Sequence, residues 1–174
     1  MSSPLSPPEG TISAPEHLTS AHEVAQFDSG VPALDDWLKR RALDDEKVHA
    51  SRTYVTAVGG RVIGYYALAN GAVARAHAGG RVRRNMPEPI PVMVLGRLAL
   101  DRAWQGRGIG QGLLKDAVLR TVQAARIAGI RAILVHAISE EAKKFYSRHG
   151  FAESPVAPLT LMITLSDAER ALVS

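Results

Sequence analysis

The sequence predicts a mixed α/β fold on one central twisted mixed sheet, and three observations carry that prediction. Residues 52–58 and 61–69 are alternating, β-branched runs joined by Gly59 and Gly60, the signal of an antiparallel hairpin. Residues 92–100, VMVLGRLAL, form a short apolar strand that passes through a glycine-rich corner into a long amphipathic segment. Residues 130–137, IRAILVHA, are a second apolar run bounded by turn signals, which fits a buried parallel strand after a right-handed crossover. An antiparallel hairpin, a βαβ unit and a closing helix plus strand make the pattern mixed.

Taken in order, residues 1–15 carry four prolines and four serines with little to anchor a core, and are expected to form a disordered tail before a single domain over residues 16–174. Ser20 followed three residues later by Glu23 reads as a capping box opening a short helix to Gln26. Residues 27–31 turn. Pro32 suits a first helical turn, and Leu34, Trp37, Leu38 and Ala42 share one face, so a second helix is expected to about Glu46. Lys39, Arg40 and Arg41 form its wet side or part of a substrate surface. After the hairpin, the strand continues a little into residues 72–91, which then give way to a basic, proline-rich loop containing Arg75, Arg81, Arg83 and Arg84, fitting either partner contacts or a solvated connector.

Beyond the central strand, Ile109, Leu113, Leu114, Ala117, Val118, Thr121, Val122 and Ala125 mark the buried face of a helix that Gly129 stops. Ser139 with Glu140 and Glu141 caps the next helix, which ends at His149 and Gly150. Residues 151–153 and 159–165 read as closing strands interrupted by Pro155 and Pro158. Ser166 and Glu169 are expected to cap a last helical turn.

Composition removes several function classes. The 174 residues include no cysteine, which excludes disulfides, thiolate metal sites and a cysteine nucleophile. The six histidines show no paired helical spacing such as HExxH, so no metal is expected. No apolar run approaches membrane-spanning length and no basic start precedes an apolar stretch, so the expectation is a cytoplasmic protein without a membrane helix. Residues 72–131 hold eleven Lys or Arg against three acids, whereas the remainder holds ten against fourteen. The central third therefore suits an anionic partner, or a basic surface beside a phosphate-rich cofactor.

The corner after the central strand reads Gln105, Gly106, Arg107, Gly108, Ile109, Gly110. Glycines on alternate positions remove the Cβ atoms that would keep a ligand off the backbone, and the helix that follows offers unpaired N–H groups at the positive end of its dipole. A P-loop would need Lys and Ser or Thr directly after the last glycine, where Gln111 and Gly112 stand. A dinucleotide fingerprint would need a third glycine at Gln111. What remains, Gln-x-x-Gly-x-Gly, resembles the coenzyme A pyrophosphate loop of the GNAT superfamily of N-acetyltransferases. A second match, A-x-x-F-Y-x-x-x-G-F from Ala142 to Phe151, resembles the superfamily's helix at the thioester end of the cofactor. Ala142, Phe145, Tyr146 and His149 also fit i, i+3, i+4, i+7, the spacing of a plain core stripe.

The segments LGRLALDRAWQGRGIGQGLLKDA, ILVHAIS, KKFYSRHGF and LTLMITL, preceded by FDSGVPALDDWL and SRTYV, are similar more closely to the acetyltransferase toxins of type II toxin–antitoxin modules. That resemblance implies a GNAT fold of six to seven strands flanked by helices, acetyl-CoA as cofactor, and acetylation of the α-amino group of aminoacyl-tRNA, with arrest of translation. It also implies a homodimer and a cognate antitoxin of ribbon-helix-helix type. For the site it implies backbone N–H groups of Leu98, Ala99 and Leu100 at the oxyanion, the 105–110 loop at the pyrophosphate, and Ser139, Ala142 and Phe145 at the cofactor. Tyr146 is the implied general acid to the departing thiolate. Ser139 stands where many superfamily members have Asn. The alternatives at this stage are an N-acetyltransferase for a small-molecule or protein amine, and a coenzyme A-binding module without turnover. Arg75, Arg81, Arg83 and Arg84 are the candidate tRNA contacts.

Overall fold

The structure is a computed structural model that describes residues 10–173. Seven strands form one sheet in the order β1-β2-β3-β4-β5-β7-β6. They are β1 (Glu16–His17), β2 (Arg52–Val58), β3 (Arg61–Val73), β4 (Ile90–Leu100), β5 (Ala132–His136), β6 (Ala152–Glu153) and β7 (Thr160–Thr164). The β4–β5 pair is parallel and the β1–β2, β2–β3, β5–β7 and β6–β7 pairs are antiparallel, so the sheet is mixed as expected. The helices are α1 (Pro32–Arg40), α2 (Ala42–Lys47), α3 (Gly80–Arg83), α4 (Ile109–Ala128), α5 (Glu140–Arg148) and α6 (Leu165–Leu172). The chain clusters into two compact units, residues up to Leu68 with Arg97–Leu114, and Ala69–Gly96 with the residues from Lys115 on.

In the first unit the hairpin forms as its turn residues dictate, because Gly59 and Gly60 both take positive φ (57° and 81°). Helices α1 and α2 cover one face with Leu34, Trp37, Leu38 and Ala42, packed with Phe27, Val55, Tyr65, Ala67 and Ala99. The single helix expected to Glu46 is broken at Arg41, whose φ of −121° interrupts the run. The bend turns Ala42 into the same core as Trp37, and Ala42 is fully buried.

Three expectations near the N-terminus meet corrections or limits. Residues 1–9 of the expected tail lie outside the described residues. Its described end is held, since Ser13 N–H donates to Ala57 O at 2.8 Å and Ser13 Oγ accepts from Ala57 N–H at 3.0 Å. No helix forms at Ser20–Gln26: Glu23 N–H donates to Gly60 O and Glu23 O accepts from Val62 N–H, so the backbone is committed to the hairpin and is unavailable for i→i−4 bonds. Thr19 takes the capping role inside a turn instead, with Oγ1 accepting from Ala21 N–H.

In the second unit β5 pairs with β4 over Val92–Leu95 and with β7 over Ala132–His136. The expected basic loop is built rather than irregular. A 3-10 turn at Arg75–His77 and α3 are pinned by Ala78 and Val82, which are buried with Ile90, Val92, Ala132, Leu134 and Met162. The last helix is longer than one turn and starts earlier than Ser166. Thr164 caps it, its Oγ1 accepting from Asp167 N–H at 3.1 Å.

Candidate active site

The glycine corner sits in the first unit at the end of β4. Asp101 organises it: buried to 6% exposure, it accepts Ala103 N–H on Oδ1 at 3.0 Å, starting the 3-10 turn Arg102–Trp104, and Asp28 N–H on Oδ2 at 3.1 Å. Gln105 Nε2 donates to Leu100 O at 2.9 Å and to Ser29 O at 3.0 Å. Arg102 closes the same junction through Asp28 Oδ1 at 3.2 Å. Trp104 packs with Val58 and Ile63 below the turn, and the Arg107 guanidinium lies 4.9 Å above its ring.

Gly106 and Gly108 then take φ of +79° and +81°. No atom lies within 4 Å of the position a Cβ would occupy on either, so their backbone is open to a ligand. The Gly108 carbonyl accepts Gly112 N–H at 3.2 Å, which makes Gly108 the cap residue of α4. Gly110 lies inside α4 with helical backbone, so the requirement for positive φ applies to Gly106 and Gly108 and not to Gly110. This cradle fits a pyrophosphate: two open glycines, a helix start and one aromatic-held arginine. The Gln105 side chain is bonded within the protein, so it supports the loop, while Arg107 and the backbone of residues 106–110 remain the groups suited to phosphate.

Leu98, Ala99 and Leu100 end β4 in the same unit. The ladder between β4 and β5 stops at Leu95, five residues short of that end. Ala99 is buried in the α1–α2 core, whereas Leu98 and Leu100 are half-buried.

Helix α5 lies in the second unit. Ser139 Oγ accepts Ala142 N–H at 3.1 Å, so its hydroxyl oxygen serves as the helix cap. Ala142 and Phe145 are half-buried and Tyr146 is buried, its ring meeting Phe145 and Phe151 edge-on at 5.2 and 5.5 Å. Burial raises the Tyr146 phenol above its ordinary value, so the hydroxyl keeps its proton throughout the physiological range. His149 is shifted the other way, lowered first by burial and then by the Arg148 charge.

The four candidate arginines are also in the second unit but differ in their partners. Arg81 is paired in a two-point bond to Asp167, Nε to Oδ2 at 2.8 Å and Nη2 to Oδ1 at 3.2 Å. Asp167 also accepts from Arg170. Hydrogen bonding by Arg81, with Arg170 adding to it, holds the Asp167 carboxyl at about 2. Arg83 and Arg84 are exposed beside it, and the Arg75 backbone N–H is bonded to Glu88. Among the described residues no group of three or more His, Asp or Glu is placed to hold a metal ion, and no helix is long and apolar enough to cross a membrane.

Sequence reasoning passed over Asp101, Asp28 and Arg97. A lone acid between a strand and a turn has no period to mark it, although its position two residues before Ala103 is an Asx-type turn signal.

Comparison with known proteins places the chain in a family. The model of the acetyltransferase (GNAT) domain matches residues 49–153. A tRNA-acetylating toxin of Mycobacterium tuberculosis is 55% identical over 161 residues, 92% of this chain and 96% of that protein. The structure of AtaT complexed with acetyl-methionyl-tRNAfMet has 27% identity and a TM-score of 0.84, covering 92% of this chain and 98% of that one. A tyrosine-to-phenylalanine mutant of AtaT bound to the C-terminus of the antitoxin AtaR and acetyl-CoA has 28% identity and a TM-score of 0.79, covering 94% and 98%. A glycine cradle at the start of α4 and a buried tyrosine on α5 thus stand in a chain that belongs to the GNAT family of acetyltransferases.

Proposed function

We propose that this chain is the toxin of a type II toxin–antitoxin module, an enzyme that transfers acetyl from acetyl-CoA to the α-amino group of aminoacyl-tRNA and thereby blocks translation. The observation that carries the reading is the 55% identity, across 92% of the chain, to a tRNA-acetylating toxin. The likeness to AtaT complexed with acetyl-methionyl-tRNAfMet supports the same acceptor.

When bound, acetyl-CoA supplies the acetyl group as a thioester. The chain's own groups then divide the work. Backbone N–H groups from Gly106 to Gly110, with Arg107, hold the pyrophosphate. Backbone N–H groups of Leu98 to Leu100 donate to the carbonyl oxygen as it gains charge during attack by the amine. Tyr146 holds a proton on Oη for the departing sulfur. The sequence alone suggests a transfer uphill by only a unit or two, from a phenol near ~10 to a thiol near ~8.5. Burial of Tyr146 widens that gap, but the same desolvation raises the thiol, so a donated hydrogen bond still favours departure. The attacking α-amino group titrates near ~8 and loses its proton to water without a dedicated carboxylate.

Arg83 at the end of α3, Arg84 just after it and Arg75 before it contact tRNA phosphates, with Arg81 fixing α3 through Asp167. The functional form is a cytoplasmic homodimer, neutralised by an antitoxin of ribbon-helix-helix type. The test is to incubate the purified protein with labelled acetyl-CoA and total charged tRNA, digest, and identify the acetylated ester. Label on N-acetyl-aminoacyl-adenosine is the expected result. Label only on free amines or protein would assign an ordinary N-acetyltransferase instead.

A further inference from the structure

Arg97 stands on β4 one residue before the segment assigned to the acyl oxygen. Its guanidinium carbon lies 4.2 Å from the centroid of the Trp37 ring. The indole is also stacked against Tyr65 at 5.9 Å and 14°, and the Tyr65 hydroxyl donates to Leu34 O at 2.6 Å. Trp37 and Tyr65 are both buried in the α1–α2 core, so the platform under the cation is rigid.

What the cation lacks is a counterion. Arg52, Arg81, Arg102, Arg120 and Arg170 each meet a carboxylate, but among the described residues Arg97 has no ion pair. Asp35, whose charge, like that of Arg97, acts on Tyr65, uses Oδ1 to accept both the N–H and the hydroxyl of Ser29. A half-buried guanidinium pressed on an indole has given up part of its hydration, and its planar fork of N–H donors has no acceptor among the described residues. Strand alternation puts Arg97 with Ala99 on the face covered by α1 and α2, while Leu100 points the opposite way, toward Gly64 and Leu113.

We propose that Arg97 grips the phosphodiester joining the terminal adenosine of charged tRNA to the rest of the strand, and so seats the aminoacyl end for attack. The inference rests on the acceptor proposed above. The amine and ester of that acceptor carry no negative charge, and the nearest fixed anion is the phosphodiester one nucleoside away. Its two non-bridging oxygens match a guanidinium fork. Arg97 is thereby a binding residue for the acceptor and takes no part in proton transfer.

Three acceptors bearing one amino acid test this at saturating acetyl-CoA: the aminoacyl ester of adenosine, that of the dinucleotide cytidylyl-adenosine, and the intact charged tRNA. Wild-type kcat/KM should rise by about tenfold or more from nucleoside to dinucleotide, the step that adds the phosphodiester. In Arg97→Gln that ratio should collapse toward one, and Arg97→Lys, a point charge without the fork, should restore only part of it. Melting temperature and acetyl-CoA affinity identify a variant that fails to fold; should Arg97→Gln be one, the wild-type ratio and Arg97→Lys decide. A wild-type ratio near one, or a ratio unchanged in either folded variant, overturns the assignment while leaving the acceptor intact. Acetylation of none of the three by the wild type overturns both.

Discussion

The side-chain amide of Gln105 donates to the backbone carbonyl of Ser29 at 3.0 Å, across 76 positions of sequence. One side chain thus ties the start of the glycine cradle to the loop that leads into α1. Its second bond, to Leu100 O, fixes the end of β4 at the same point. Two such bonds at about 0.5–1.5 kcal/mol each predict that Gln105→Ala raises the acetyl-CoA Kd by about tenfold. Gln105→Glu should do worse, because a carboxylate would face two carbonyl oxygens. Calorimetry showing wild-type affinity in a folded Ala variant would remove Gln105 from the support of the cradle.

Gly108 has φ of +81° and an open Cβ position, so substitution there strains the backbone and fills the space that the proposed pyrophosphate site leaves open. The strain of Gly108→Val is about 1–2 kcal/mol, which a folded domain survives. Acetyl-CoA binding should be lost while the melting transition persists. Retained binding in the folded variant would contradict the pyrophosphate assignment.

The arginines of α3 should separate into two kinds. Arg83→Gln and Arg84→Gln remove exposed cations that have no ion pair among the described residues, and each should raise the KM for charged tRNA and lower the salt slope by about 0.7–0.9 per lost phosphate contact. Arg81→Gln acts indirectly by releasing α3 from Asp167. Steady-state kinetics across a salt series distinguish them, and an unchanged slope in the Arg83/Arg84 double variant would leave α3 as solvated surface.

Asp167 gives a pH test with a defined sign. Its carboxyl is depressed to about 2, so the Arg81–Asp167–Arg170 link is complete above the ordinary carboxylate value near ~4 and is lost as pH falls toward 2. NMR titration should show the Arg81 Nε–H signal shifting with a midpoint near that low value, and no such step in Asp167→Asn. A midpoint at the ordinary carboxylate value would mean that the link does not form in solution.

Tyr146→Phe deletes the hydroxyl but keeps the ring contacts with Phe145 and Phe151. Fold and acetyl-CoA affinity should be retained, kcat on charged tRNA should fall on the order of 10² to 10⁴, and induction should no longer arrest growth. Because burial raises the phenol, the wild-type pH–rate profile should show no loss from Tyr146 ionisation below pH ~10. Wild-type turnover by the Phe variant would return Tyr146 to a packing role.

The fold was legible wherever local chemistry and tertiary use agree. Gly59 and Gly60 announce the hairpin, the apolar face from Leu113 to Thr121 announces α4, and Ser139 announces α5, because each is a short-range requirement of backbone or period. The capping box at Ser20 misled because Glu23 is consumed by the hairpin, a partner some forty residues away that no local pattern reveals. The turn at Gly106 and Gly108 was readable for the same reason as the hairpin, since both residues take positive φ, which favours glycine. Its supports were not: Asp101 to Asp28 and Gln105 to Ser29 join side chains to distant backbone and leave no periodic trace. The platform under Arg97 was hidden likewise, Trp37 reading only as one more apolar position on a helix face.

The two edges of the sheet are its shortest strands, β1 and β6, of two residues each. On the β2 side Ile12 and Ser13 extend the cover as far as Val58. Backbone left open at a sheet margin invites another chain to add a strand, and short edge strands with Ile12 and Ser13 beside β2 limit that template among the described residues. Among the described residues, the sheet's two margins therefore offer a partner strand little ladder to extend. At the high concentrations reached during overproduction, association should remain reversible and saturable instead of proceeding to fibrous aggregates.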